Sequence, residues 1–265
     1  MAYVSLSTRD LNILEKIQDP EFDPSRTVQI DASLPRDPHV TDPTQYDDIA
    51  TQESKIILAV QQSELELAGL KPRTGAEPVD AYKNCLSELG ALLSSNPSYA
   101  SARNNRAQAI RRLYGDGLLV VGVEQADGHL VLNSERSARL SAASEVLSDL
   151  ETCISLLSPT TPNAHLSPHA AKTLSLAHTQ RAAIYHQTSK LIARGGEVDI
   201  DSLRREASWQ RLDFEEAASA DFALGGRYGN EIAKGLAVST NPTAKLCGQM
   251  VRQAMKKEYG PVFSG

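Results

Sequence analysis

The chain has 265 residues, 41% of them hydrophobic, enough to bury a continuous core as one large domain or as an elongated stack of small units. Its 27 Lys and Arg against 33 Asp and Glu give a formal net charge of -6, which offers no field to attract phosphate backbones or an anionic membrane surface. Aromatic residues make up only 5%, while Ala, Leu and Ser abound, a balance that suits closely packed helices better than a strand-rich core.

In chain order, Ser7 or Thr8 caps a short helix in which Leu11, Leu14 and Ile17 share a face, and Asp19-Pro20 stops it. Pro20, Pro24, Pro35, Pro38 and Pro43 then sit among many Asp residues, a pattern that forbids a long helix or a central strand. Residues 1–48 are therefore expected to be an N-terminal arm with one short helix, and residues 49–265 the main domain. A run without Gly or Pro predicts a helix over 50–67, and a second over 79–93 follows the polar break around Gly75 and ends at Ser94-Ser95-Asn96-Pro97. The next pair is expected over 100–113 and 141–157, ending at Ser158-Pro159.

Between those two helices lies an insertion of about residues 116–139. Apolar runs over 118–123 and 129–132 flank Asp127-Gly128, which predicts a small β-hairpin. A third helical pair is expected over 167–193 and 202–220, joined through Gly195-Gly196. Residues 228–236 and a last helix over 243–259 complete the chain.

Pairs of helices recurring at about 34 residues and closing near proline are the mark of tetratricopeptide repeats. Pro97 and Pro159 each close a unit, and their spacing exceeds one period by about the length of the insertion. Small or apolar residues are phased accordingly: Cys85, Leu89 and Leu92 in the first unit, Ala107, Ile110, Val146, Leu150 and Cys153 in the second, Ala182, Tyr185, Phe214 and Ala217 in the third. The expected fold is all-α, an α-solenoid of three tetratricopeptide-type helical hairpins with a C-terminal capping helix and the small inserted β-hairpin.

The stretch Ser101-Ala102-Arg103-Asn104-Asn105-Arg106-Ala107-Gln108-Ala109 resembles the tetratricopeptide repeat protein 36 family, whose second repeat opens with a very similar Ala-x-Asn-Asn-Arg-Ala-Gln-Ala. Leu147-Ser148-Asp149-Leu150-Glu151, Asp213-Phe214-Glu215-Glu216-Ala217-Ala218 and Asn241-Pro242-Thr243-Ala244-Lys245-Leu246-Cys247 are similar in the same order, as is Asp19-Pro20-Glu21-Phe22, so the resemblance is read over nearly the whole chain. Two departures stand out: the insertion, and Gln61 where a Gly is usual. The resemblance implies a protein-protein interaction adaptor, chaperone-associated or linked to tyrosine catabolism through protection of an enzyme partner.

The chemistry-bearing residues give little sign of catalysis. His165 and His169 have a zinc-like spacing, but Pro168 lies between them and no Cys, Asp or Glu flanks them usefully, so they are read as exposed loop and cap residues. His178 and His186 lie two turns apart with no nucleophile motif anywhere, and are read as core or groove histidines. Gly115-Asp116-Gly117, Gly195-Gly196 and Gly225-Gly226 lack phosphate-binding spacing and are read as turns and helix ends. Asp47-Asp48 and Glu215-Glu216 are placed on solvated faces. Cys85, Cys153 and Cys247 are read as reduced core side chains. No catalytic residue, metal ligand or cofactor is expected.

Stacked repeats offer instead a concave groove lined by the first helices of successive units. The register places Lys55 and Gln62 from the first unit, Asn104, Asn105, Gln108, Arg111 and Arg112 from the second, and Gln180 and His186 from the third on that protein-binding groove. Amides suit it because each both donates to and accepts from an extended backbone. The two-carboxylate clamp by which some repeat proteins hold chaperone tails is mostly missing, since Leu58, Gln62, Leu176 and Gln180 stand where its cations and first Asn belong. The partner is thus a protein of unknown identity, with no nucleic acid and no membrane, and the place of action cytoplasmic, with the nucleus as a second location. The alternative is an enzyme or small-molecule binder with a pocket near the third repeat, around His178, Tyr185 and His186.

Overall fold

The computed structural model describes residues 28–259 except 73, 74, 76, 126, 127, 162 and 163. Eight α-helices occur among the described residues: α1 Pro43–Leu67, α2 Pro78–Ser95, α3 Ala100–Tyr114, α4 Arg136–Leu157, α5 Pro168–Ala193, α6 Arg211–Arg227, α7 Glu231–Thr240 and α8 Pro242–Tyr259. The expected short helix of Leu11, Leu14 and Ile17 lies outside the described residues.

Four helices start on proline, which has no N–H to leave unpaired in a first turn and a φ already set for the helix. Pro43, Pro78, Pro168 and Pro242 open α1, α2, α5 and α8. Asp42 accepts from the Gln45 amide at 2.9 Å and Ser167 from Ala170 at 3.1 Å, each satisfying a first-turn donor. This explains why α1 starts within the proline-rich stretch expected to stay extended: Pro43 begins the helix and does not interrupt it.

The helices pack as antiparallel neighbours α1 with α2, α3 with α4 and α5 with α6, and each pair stacks on the next through α2 with α3 and α4 with α5. This is an all-α helical repeat fold, with α7 and α8 following the third pair. Its main core joins the last two pairs, where Leu147, Leu150, Cys153, Leu174, Ile184 and Phe214 are fully buried. A second core under the first pair gathers Tyr46, Ile49, Ile56, Tyr82, Leu89 and Tyr99. At the far end Ala182, Phe222 and Ala233 form a small third cluster.

The insertion leaves α3 at Gly115, whose φ of 79° favours a residue without a Cβ. It contributes to a two-stranded antiparallel sheet, but the pairing differs from a self-contained hairpin. Strand β1 Val120–Val121 pairs with β2 Glu197–Val198, from the loop after α5. The second apolar run returns to α3, where the amides of Leu130 and Val131 donate to the carbonyls of Arg112 and Leu113 at 3.2 and 2.9 Å. A lone ribbon is marginal in water. Here Leu118, Leu119 and Val120 gain burial by joining the main core. Arg139 fastens the clasp, donating to the carbonyls of Leu118 and Asp199 at 2.9 Å and to the Asp199 carboxylate.

Residues 28–42 run along the stack. Asp31 donates its amide to Leu166 O, Leu166 donates to Gln29 O, and His39 Nε2 lies 3.0 Å from Leu156 O. The arm thereby meets the junction of α4 and α5.

Gly225 and Gly226, expected to end a helix, lie within the last turn of α6. A Cβ at Gly225 would fall 2.6 Å from Thr179 Oγ1, so this glycine is required by close approach of α5, not by a turn.

Candidate functional site

The first helices of the three pairs, α1, α3 and α5, share one face, and side-chain hydrogen bonds join them. Glu53 of α1 is buried and accepts from Tyr99 Oη at 2.7 Å and from Asn105 Nδ2 at 2.8 Å. Burial and the facing Glu53 carboxylate both push the Tyr99 phenol upward, so it stays a donor at any physiological pH. Gln180 of α5 donates to the side-chain and main-chain oxygens of Asn104 at 2.8 and 3.1 Å, and accepts from Arg111 Nη1 at 3.1 Å.

Arg111 also meets Asp116 at 2.6 Å, and Arg112 meets Glu64 at 2.9 Å while donating to Gly128 O at 2.6 Å. Burial raises the Glu64 pKa, but hydrogen bonds from Arg112 and Tyr82 outweigh it and hold the carboxyl below its ordinary value. A cleft of about 390 Å³ opens beside these pairs, lined by Glu64, Tyr82, Gln108, Arg111, Arg112, Gly115 and Asp116.

The groove residues expected from the sequence therefore divide. Gln108, Arg111 and Arg112 come together in the cleft, with Gln108 exposed. Lys55 is exposed on α1. Gln62 is half-buried and tied to Glu66 and Lys71 at 2.8 and 2.6 Å. Asn104 and Gln180, expected to meet a partner, are only 3% and 7% exposed and bond to each other, so they form part of the packing between α3 and α5. Asn105 is committed to Glu53.

His186 is not on this face. It is half-buried between α5 and α6, its ring edge-on to Phe222 at 6.2 Å, with Lys190, Glu215 and Lys245 of α8 near it. Burial first, then Lys190 and Lys245, lower its pKa to about 4.

Besides Gly115, the cleft gains three residues that the sequence reading missed: Tyr82, Glu64 and Asp116. Tyr82 was hidden because it sits on a second helix, where groove residues were not sought. Glu64 and Asp116 had no pattern signal, since each is identified only by the arginine it faces.

The remaining chemistry-bearing groups are bound up in packing. His178 is buried with Nδ1 2.8 Å from Asp221, which also accepts from Arg181 Nε and Nη2 at 2.6 and 2.8 Å. Tyr185 donates to buried Glu206 at 2.7 Å. His165 is exposed, as expected, but His169 is half-buried with its ring 6.0 Å from Tyr46, and burial lowers its pKa. Glu215, expected in solvent, is 8% exposed and paired with Arg211 at 2.6 Å. Cys85 and Cys153 are free and buried, their thiols pushed up to about 11 and about 12 chiefly by burial, whereas Cys247 is exposed and not a core side chain. Among the described residues no group of three or more His, Cys, Asp or Glu is placed to hold a metal ion, and no helix is long and apolar enough to cross a membrane.

The L-tyrosine degradation gene cluster protein hmgX of Aspergillus fumigatus is 33% identical to the chain over 266 residues, covering 98% of the chain and 95% of that protein. The tetratricopeptide repeat protein 36 homolog of Drosophila melanogaster is 43% identical over 51 residues, 19% of the chain and 28% of that protein. This second likeness is much narrower than the near-full-length resemblance read from the sequence. No family model and no solved structure matches the chain.

Proposed function

We propose, from the premise that the chain belongs to the family of the L-tyrosine degradation gene cluster protein hmgX, that it is a non-catalytic adaptor of L-tyrosine breakdown, holding a protein partner against the face of α1, α3 and α5. The partner class is an enzyme of that degradation, which the adaptor protects, and the place of action is the cytoplasm.

The observation that carries this reading is the cleft. Its charges are matched within the chain, Arg111 by Asp116 and Arg112 by Glu64, while Gln108 stands exposed between them. A neutral, polar cleft fits an uncharged extended segment, whose backbone groups pair with an amide that donates and accepts. It fits an acidic tail poorly, because both guanidinium groups already have carboxylates. Leu58 and Leu176, 60% and 40% exposed on the same helices, add apolar contact where a carboxylate clamp would need cations. The enzyme reading finds less support, since His178 and Tyr185 are buried and each is taken by an acidic neighbour.

The test is direct binding of the purified protein to each purified enzyme of L-tyrosine degradation from the same organism. One enzyme is expected to form a stoichiometric complex, and Gln108→Trp with Lys55→Glu, both exposed positions, is expected to weaken it by about tenfold or more without lowering Tm. Binding to none of the enzymes, or equal binding by the double variant, overturns the proposal.

A further inference from the structure

Helix α8 shows solvent an apolar stripe. Leu246, Met250 and Val251 are 56%, 60% and 57% exposed, and Cys247 and Ala254 beside them are exposed too. Their spacing of three and four residues puts all five on one side of the helix. The helix is held to the stack by another edge, where Gly248 and Met255 are partly buried and Lys245 reaches Glu215 of α6 at 3.6 Å. The helix is also basic: besides Lys245, which meets Glu215, Arg252, Lys256 and Lys257 stand against Glu258 alone on this helix, in a chain whose net charge is -6.

We propose that α8 is a docking helix for an acidic protein partner that closes an apolar groove over Leu246, Met250 and Val251. A basic amphipathic helix matches such a partner twice, through the stripe and through the surrounding charge. A second copy of the chain fits less well, because pairing α8 with itself sets two basic helices side by side. An anionic membrane fits less well too. Helices that lie in a membrane interface present Trp, Phe and Leu, whereas this stripe has one Leu among Met, Val, Cys and Ala. Flexible thioethers and small side chains adapt instead to the wall of a protein groove. The surface is distinct from the cleft of α1, α3 and α5, so this proposal stands or falls separately.

Calcium-loaded calmodulin serves as the probe, since its Met-rich grooves receive basic amphipathic helices. Cys247 supplies the reporter: it is exposed within the stripe, whereas Cys85 and Cys153 are buried. With the full chain and excess probe, alkylation of Cys247, followed by mass spectrometry, is expected to slow about tenfold in calcium and not in chelator. Met250→Glu with Val251→Glu should weaken binding about tenfold with Tm unchanged. Reversing Arg252, Lys256 and Lys257 to Glu should weaken it most at low salt. No calcium-dependent slowing, or binding indifferent to Met250→Glu with Val251→Glu, overturns the proposal. So does protection of Cys247 by vesicles of phosphatidylcholine and phosphatidylserine but not by the probe, which assigns the helix to a membrane. Protection that grows with the protein's own concentration also overturns it, in favour of a second copy.

Discussion

At the residue scale, the charge state of a side chain is set by what surrounds it in space. His186 meets the aromatic ring of Phe222, and its imidazole faces Lys190 from its own helix and Lys245 from α8, against Glu215 from α6. The folded state therefore resists protonating it, and its pKa falls to about 4, below the 6.5 ordinary for an imidazole. The unfolded chain binds the extra proton first as pH falls, so the stability this neutral ring contributes is fully present above about pH 6.5 and is lost between there and about pH 4. His186→Gln is expected to flatten the fall of Tm across that window in a thermal melt followed by circular dichroism. An unchanged slope would show that His169, whose pKa burial also lowers, accounts for the dependence. The carboxylates of Glu64, Glu206 and Asp221 act in a lower window, since their pKa values are depressed and their stabilising effect fades only as pH drops through them.

At the scale of elements, the α3 and α4 pair is tied by one buried carboxylate. Asp149 is fully buried and takes Arg106 at 2.6 Å and Arg103 at 3.1 Å. Arg106 also reaches Glu145 at 3.0 Å. Removing Arg106 leaves Asp149 a single cation, so Arg106→Ala is expected to destabilise by about 2 kcal/mol in urea unfolding while leaving partner affinity unchanged. Loss of affinity with unchanged stability would place Arg106 on the binding face. The contrast with Gln108, two positions away and exposed, follows from helical geometry: residues separated by two point to different sides. Arg139 does for the β1 and β2 clasp what Asp149 does for the helices, pinning a loop whose own two-stranded sheet is too small to hold it.

At the scale of the whole molecule, stacked pairs support their neighbours, and the ends differ. Ala233 of α7 covers Ala182 and Phe222, which are otherwise the open end of the third pair. Helix α8 packs by one edge and leaves Leu246, Met250 and Val251 in solvent. Ending the chain after Asn241 is therefore expected to lower Tm by less than about 3 °C, whereas ending it after Arg227 uncovers Phe222 and should lower Tm by about 6 °C or more. Equal losses from the two truncations would mean that α8 carries structural weight and is not a free docking element.

The sequence by itself determined the order of the six helices in the three hairpins and their pairing. The apolar spacing of Leu89 and Leu92 or Leu147 and Leu150, the breaks at Pro97 and Pro159, and the absence of Gly and Pro through 50–67 are local signals that chain geometry converts directly into helices and turns. It also marked Gln108, Arg111 and Arg112 as neighbours on one side of α3, because helical periodicity is enough to put them there. Tertiary structure alone decided which of the groove residues remain accessible. Asn104 and Gln180 are distant in sequence and each reads as a surface amide, but α3 and α5 approach closely enough to bury them against each other. It likewise sent residues 120–121 to pair with 197–198 and not within the insertion, since the burial available to Leu118 and Leu119 lies in a core built from helices far along the chain. Burial and partner choice depend on what arrives from elsewhere in the fold, and no local pattern carries that information.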